Sequence, residues 1–440
     1  MRRDSRRCEG VALQGLPCWR RGVLILTAVL VMAAGQVTGV WAAAGYEKQP
    51  VLQASDLAPA ELLNGARYRV EDKVPTEGFL GQFTIRSDVG TFEAHGLEML
   101  KIRIAEMAAI EQLEAASKTE TFLQALGSAA ERPVKAVASF VTRPADTVKG
   151  IPSGVERFFG RVKRGGESAI ATVTAPGASS TDKAEAVSRR IGGITIDALG
   201  YEQERRQLAK HLQVDPYTTN PALSQKLDEF AWVAFSGRVG VNAVISVVVP
   251  ASMAISATTF TTDLVWDTPG AELLRVNDQK LREMGLRESA VQAMLGNPWY
   301  SLSLLTAFVT ALDQLQGVSG RDTIVMLAAS AISEDQARFL TAATQMLASY
   351  HQTVAPLSAV LGRGTVTGRD QRGAVVPAPL DYVAWTARVA EFAKRSDLKV
   401  QERQVWLTGQ MSPRARNEMT KLGWGFHDGG RLRPSPPTGR

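Results

Sequence analysis

An uncharged, apolar run near the N-terminus constrains this chain more than any other feature of its sequence. The run covers residues 22–45, and six arginines precede it. Its densest part, 23–34, has the length of a signal-peptide hydrophobic region, and the small residues Ala42 and Ala44 suit a cleavage site. We therefore expect residues 1–44 to be a signal peptide. The alternative is an uncleaved membrane anchor, because the apolar character continues for roughly 20 residues.

Removal of residues 1–44 changes the composition of the chain. The 440-residue sequence has 50 basic and 44 acidic residues and two cysteines, Cys8 and Cys18. The mature chain keeps 44 basic and 42 acidic residues, a net charge of +2, and no cysteine. Disulfides, a cysteine nucleophile and a thiolate metal site are thereby excluded. An extracellular animal protein of this length usually carries disulfides, so we expect a bacterial protein of the periplasm or cell envelope.

The mature chain is predicted to be mainly α-helical, with an α+β fold whose small β elements lie near its start and its end. The predicted regions are a strand pair plus a long helix (45–130), basic amphipathic helices (131–164), a linker (165–181), a helical domain (182–362), a small α+β region (363–430) and a disordered tail (431–440). Helices are predicted at 182–191, 197–213, 221–236, 271–284, 287–295, 298–316, 321–332, 334–350 and 380–395.

Two local patterns predict strands in the C-terminal region. A glycine-rich segment, 363–377, is flanked by alternating apolar residues and indicates a hairpin. Further on, Ser412 and Pro413 are typical of a helix start between two strands, which predicts a strand–helix–strand unit from Arg403 to His427.

A long helix is predicted from Glu93 to about Leu126. Its apolar residues form two stripes on opposite faces, which indicates a helix sandwiched between two layers. Near its start, Glu93, His95 and Glu98 are the closest approach to a ligand or acid–base cluster, because His95 and Glu98 would share a helical face. Solvated charges at a helix start are the alternative explanation.

Residues 131–164 have the most distinctive pattern in the chain. Three prolines, at spacings of eleven and eight residues, are each followed by apolar residues at near-helical intervals, which predicts short amphipathic helices. Residues 132–164 alone carry a net charge of +6, so the rest of the mature chain carries −4. The basic residues are Arg132, Lys135, Arg143, Lys149, Arg157, Arg161, Lys163 and Arg164, and the aromatic residues are Phe140, Phe158 and Phe159.

A basic amphipathic segment with aromatic residues suits contact with an anionic membrane surface or a phosphate-rich polymer. We expect the basic residues of 131–164 to bind the anionic surface and the phenylalanines to face the membrane. The alternative is that these helices pack on the body of the protein and that their charges are only solvated. Nucleic acid is not expected as a partner, because export removes the chain from most of it.

A second apolar run, 239–262, contains 24 residues without a charge, long enough to span a bilayer. Only 14 of these residues are apolar, and Asn242 and Pro250 interrupt the run. A buried core segment is therefore favoured over a membrane span.

The sequence contains no Walker A motif, HExxH motif, GxSxG elbow or EF-hand loop. We expect no cofactor and no metal. The leading hypothesis is a non-enzymatic, exported envelope protein that acts by binding or scaffolding, with an anionic lipid or envelope polymer as its partner. A protein partner or a second copy of the chain is left open. The alternatives are a periplasmic hydrolase that uses carboxylate or histidine chemistry and a membrane-inserting protein that uses 239–262.

Overall fold

A computed structural model describes residues 45–88, 90–120, 122–124, 196–237 and 263–428. Helices make up about 54% of the described residues and strands about 19%, so the fold is α+β with more helix than strand. Five predicted regions lie outside the described residues: the signal peptide (1–44), the basic helices (131–164), the linker (165–181), the apolar run (239–262) and the tail (431–440). The helix predicted at 182–191 also lies outside them.

The N-terminal part consists of short strands followed by one long helix. Its elements are β1 (Val51–Gln53), α1 (Ala54–Leu57), β2 (Tyr68–Val70), β3 (Lys73–Pro75), β4 (Gln82–Ser87), β5 (Gly90–His95) and α2 (Leu97–Ser117). Strands β2, β4 and β5 form an antiparallel sheet in that order, and β1 pairs separately with β3.

The predicted start of the long helix, at Glu93, is wrong. This part of the chain is strand β5, which pairs along its length with β4. Gly96 follows with a φ of 98°, a conformation that glycine adopts at little cost, and α2 begins only after it. His95 is therefore the last strand residue and shares no helical face with Glu98.

A series of helices follows between residues 196 and 353. They are α3 (Ile196–His211), α4 (Pro221–Gly237), α5 (Asp263–Asp267), α6 (Gly270–Glu283), α7 (Glu288–Gly296), α8 (Leu302–Asp313), α9 (Arg321–Ala329) and α10 (Glu334–Thr353). All but α5 match a helix predicted from the sequence. The expected start at Pro298 is wrong, because α8 begins after Ser301, whose hydroxyl accepts a hydrogen bond from the Leu304 N–H.

Helix α2 belongs to two hydrophobic cores. Leu100 and Ile104, in its first half, pack in a core with the N-terminal strands. Ile110 and Leu113, in its second half, pack in a core with α3 and α4. The helix thus has apolar partners in two cores, as its two apolar stripes predict, and these partners also change along its axis.

The C-terminal part is built on a five-stranded sheet. Its elements are β6 (Ala359–Gly362), β7 (Val366–Arg369), β8 (Gly373–Ala378), β9 (Tyr382–Val383), α11 (Ala387–Ala393), β10 (Glu402–Leu407), β11 (Gln410–Met411), α12 (Pro413–Lys421) and β12 (Trp424–Asp428). The sheet has the order β12–β10–β8–β7–β6. Strands β8, β10 and β12 are parallel, and α11 and α12 connect them.

The predicted hairpin and the predicted strand–helix–strand unit are both confirmed by this sheet. The predicted helix at 380–395 is shorter than expected, since residues 382–383 form β9 in a small parallel sheet with β11. Only after Thr386, whose hydroxyl accepts from the Val389 N–H, does α11 begin.

Helices lie on both faces of the C-terminal sheet. Val405 and Leu407 of β10 line a cavity together with residues of α11 and α12. Trp406, which points to the opposite face, lies against Tyr350 of α10, with ring centres 5.5 Å apart. One hydrophobic core extends from α6 to β12, across the predicted boundary at residue 362. Within the described ranges, no helix has both the length and the apolar character needed to cross a bilayer.

Candidate ligand-binding site

The predicted contact segment, 131–164, with its basic residues and phenylalanines, lies outside the described residues. The described chain offers a different candidate, a cavity of about 1080 Å³ in the C-terminal part. Small-molecule sites typically have volumes of roughly 300–1,000 Å³. The cavity is therefore large enough for a ligand of considerable size.

Beside the cavity, two strands of the sheet separate. Strand β7 pairs with β8 only at Gly368–Val375 and Arg369–Ala374. Beyond these pairs, residues 376–378 of β8 remain paired with β10 but not with β7. Pro377 lies in this stretch, which lacks a β7 partner, and proline is tolerated where one side of a strand is unpaired. The strands thus leave a gap in the sheet between β7 and residues 376–378 of β8, and these three residues line the cavity.

Apolar side chains from two layers form the walls. Val376 and Ala378 of β8 lie beside Val405 and Leu407 of β10, their register partners. All four are less than 9% exposed. The facing helices contribute Val389 and Phe392 of α11 and Met419 of α12, and Phe339 of α10 also lines the cavity.

Charged side chains surround the mouth of the cavity, where most lining residues are exposed. Four are cations and two are carboxylates: Arg363, Arg388, Lys394, Arg395, Glu391 and Asp397. Arg395 binds the Asp397 carboxylate with N–O distances of 2.5 and 3.0 Å and donates to the Arg363 carbonyl at 2.8 Å. The hydrogen bonds from Arg395 hold the pKa of Asp397 below its usual value. These contacts tie the chain just after α11 to the β6–β7 turn.

Aromatic contacts hold the outer wall in place. The Phe392 ring stacks on Trp424 of β12, with ring centres 5.5 Å apart. The Trp424 indole N–H donates to the carbonyl of Ala393, the last residue of α11, at 3.0 Å. The end of α11 is therefore fixed to the sheet by an aromatic stack and a buried hydrogen bond, which keeps the cavity wall in one position.

His95 and Asp335 form a pair outside the cavity, and they bear on the hydrolase hypothesis. His95 Nδ1 lies 2.8 Å from Asp335 Oδ2, and this hydrogen bond raises the pKa of His95. Nucleophilic catalysis would require the other ring nitrogen to face a nucleophile. Within the described chain, the hydrogen bond and ion pair of the His95 side chain involve Asp335. The pair connects β5 to the first turn of α10.

The remaining histidines have other roles. Nδ1 of His351, in the last turn of α10, accepts a hydrogen bond at 2.9 Å from the N–H of Leu357, which follows the helix. The His427 ring stacks on Trp406 at 4.2 Å between ring centres. His211 is exposed at the end of α3. None of these three histidines lines the cavity.

A buried polar network lies near the His95 pair and joins α2, the α3–α4 loop and α8. Glu106, which is 3% exposed, accepts hydrogen bonds from Arg103 at 2.6 Å and Asn220 at 3.0 Å. Asp215 accepts from the Ser303 hydroxyl, and burial raises the pKa of this carboxyl. Because these acceptors are all hydrogen-bonded to neighbouring elements, the network is explained by its role in packing.

The sequence did not single out the residues that form the cavity. Its walls come from four strands and three helices, and no local pattern shows that their apolar residues surround one space. A signal for the gap does exist, since a proline within a strand pattern indicates an edge, and Pro377 stands within such a pattern. The cations at the mouth belong to no recognised sequence motif.

Among the described residues, no three histidine, cysteine, aspartate or glutamate side chains form a group suited to a metal ion. The chain matches no protein-family model, no curated protein and no solved structure. The assignment of a function therefore depends on the chemistry of the residues themselves.

Proposed function

We propose that this is an exported cell-envelope protein that binds a small molecule with a long apolar part in the cavity beside β8 and β10. The observation that supports the proposal is the pair of apolar walls, one from the sheet and one from α11 and α12. Protein interiors are close-packed, with few voids larger than a water molecule. An apolar cavity of about 1080 Å³ between packed layers is thus typical of a binding site.

The residues around the cavity favour binding over catalysis. Its lining includes neither histidine nor cysteine. Of the two carboxylates at the mouth, Asp397 is held ionised by Arg395, and its lowered pKa makes it a poor proton donor or acceptor near neutral pH.

Fluorescence titration of the purified chain with N-phenyl-1-naphthylamine, a neutral apolar dye, tests the proposal. Val405→Phe and Val389→Phe place a ring in the cavity from opposite walls, and each should weaken dye binding by about tenfold, or 1.4 kcal/mol. Leu361→Phe is the matched control, because Leu361 is 38% exposed on β6 and does not line the cavity. Near-ultraviolet circular dichroism reports whether each variant is folded. Unchanged dye binding by both folded cavity variants would overturn the proposal.

The predicted contact between 131–164 and an anionic membrane surface remains part of the proposal. The charge of +6 concentrated in 132–164 supports it. We expect the chain to co-sediment with vesicles that contain phosphatidylglycerol, and much less with vesicles of pure phosphatidylcholine.

A matched pair of variants tests which cations make this contact. One replaces Arg157, Arg161, Lys163 and Arg164 by glutamine. The control replaces four exposed basic residues elsewhere by glutamine: Lys73, Arg275, Lys399 and Lys421. Both lower the net charge equally, so only the first should lose vesicle binding. Equal binding by the two variants would contradict the assignment of the contact to 131–164.

A further inference from the structure

The mouth of the cavity carries more positive than negative charge. Four cations and two carboxylates line it, and one cation, Arg395, forms a close ion pair with one carboxylate, Asp397. Within the described chain, the Lys394 ammonium forms no hydrogen bond or ion pair, and the Arg363 guanidinium forms no hydrogen bond. Arg363 lies near enough to the Asp397 carboxylate to contribute to the lowering of its pKa, but both cations keep hydrogen-bond donors that a ligand at the rim can use.

The contacts of Arg395 bring together the two chain segments that carry these cations. Its guanidinium donates to the backbone carbonyl of Arg363, which places the β6–β7 turn beside the end of α11. Lys394 is the neighbour of Arg395 and caps the same helix. An anion bound at this part of the rim is attracted by both cations.

The charges and the apolar walls lie at different ends of the cavity. Lys394 and Arg363 are exposed, whereas the floor side chains Val405 and Leu407 are 4% and 2% exposed. A molecule that fits both regions has an anionic end and an alkyl chain. A cationic head would meet like charge at the mouth, and a neutral head would leave the excess charge unpaired.

We propose that the ligand is an anionic amphipath, whose carboxylate or phosphate group is bound by Lys394 and Arg363 while its alkyl chain lies between β8, β10 and α11. This inference rests on the proposed function of the cavity, and it adds the chemical class of the ligand. Arg388, half-buried on the cavity side of α11, adds to the positive potential.

Competition against N-phenyl-1-naphthylamine with molecules that share a dodecyl chain tests the head group. Dodecanoate and dodecyl phosphate should displace the dye at concentrations at least about tenfold lower than dodecanol or dodecyltrimethylammonium, with all competitors kept below micelle formation. The preference for the anionic competitors over dodecanol should decrease as the salt concentration is raised, because salt screens the partly exposed contact between the anion and the cations of the rim. Acetate and inorganic phosphate should not displace the dye at the same concentrations, because they lack the alkyl chain.

Variants at the rim identify the cations. Lys394→Gln together with Arg363→Gln should reduce the preference for dodecanoate over dodecanol to about two- to threefold, while dodecanol itself binds as before. Lys399→Gln together with Lys73→Gln is the matched control, because both lysines are exposed and neither lines the cavity. The control should keep the full preference.

The outcomes separate the two proposals. Dodecanol displacing the dye as well as dodecanoate, or a preference that survives in the Lys394/Arg363 variant, would overturn the anionic head group and leave the apolar site standing. Displacement by inorganic phosphate or acetate alone would overturn the need for an alkyl chain. Dye binding that is insensitive to Val405→Phe and Val389→Phe would overturn the site itself.

Discussion

The carboxylate of Asp381 accepts a hydrogen bond from the backbone N–H of Leu97, with 3.1 Å between N and Oδ2. Leu97 is the first residue of α2, and Gly96 before it has no side chain that could cap the helix. The same carboxylate accepts from the Gly81 N–H at 2.8 Å. A residue of the C-terminal part thus caps a helix of the N-terminal part, where the helix dipole also favours a negative charge.

Asp381 is predicted to make the stability of the protein depend on pH. Burial raises the pKa of this carboxyl from 3.8 to about 6, despite its hydrogen bonds to the backbone. The folded state therefore binds the proton more tightly than the unfolded state, so the stabilising contribution is present below pH 3.8 and is lost as pH rises through about 6. The total change is at most about 3 kcal/mol.

Urea unfolding of the wild type and of Asp381→Asn between pH 4.5 and 7.5 measures this contribution. The contributions of all other titrating groups cancel in the difference between the two free energies of unfolding. The free energy of unfolding of the wild type, relative to the variant, should rise as the pH falls. A difference that is flat with pH would show that Asp381 does not titrate in this range. Asp381→Ala, which removes the cap, should cost about 1–2 kcal/mol.

The His95–Asp335 pair should also stabilise the protein more at low pH. Its hydrogen bond raises the pKa of His95 above 6.5, so the contribution is fully present below that pH and is lost as pH rises through the folded-state value. His95→Gln should therefore cost about 1 kcal/mol more at pH 5.5 than at pH 8.5. His211→Gln, at an exposed histidine, should show no such difference. Equal pH profiles for the two variants would contradict the prediction.

The two buried tryptophans of the C-terminal sheet should respond differently to the same substitution. The Trp424 N–H donates to the Ala393 carbonyl at 3.0 Å, while the Trp406 N–H finds no hydrogen-bond partner within the described chain. Trp424→Phe leaves a buried acceptor without its donor, whereas Trp406→Phe removes an unpaired donor. We expect Trp424→Phe to be the more destabilising by about 1–3 kcal/mol in urea unfolding. A larger cost for Trp406→Phe would contradict this account.

Export should remove the first 44 residues. When the chain is expressed in a bacterium, we expect the periplasmic protein to begin at Gly45, as checked by N-terminal sequencing and intact mass. Ala44→Phe should block cleavage, because the site requires small residues, and the uncleaved chain should remain with the membrane fraction. An exported chain that keeps residues 1–44 would favour the anchor instead.

Much of the local structure could be predicted from the sequence alone. Helix periodicity and caps such as Asn220 and Ser412 predict helix starts, because capping depends on residues within one turn. The hairpin of β7 and β8 and the strand–helix–strand unit that ends in β12 were predictable for the same reason. The predicted start at Glu93 failed because pairing with β4 outweighed a helical pattern.

By itself, the sequence determined the α+β class and most element positions. The binding residues that it predicted lie in 131–164, and none of them lines the cavity. Only the tertiary structure decided that β7 leaves β8 after two residue pairs and that residues of four strands and three helices enclose one cavity. The tertiary structure alone likewise decided that Asp381 caps α2, because Asp381 and Leu97 are 284 residues apart along the chain. Such relationships depend on how distant segments pack, and local residue patterns carry no information about which segments will meet.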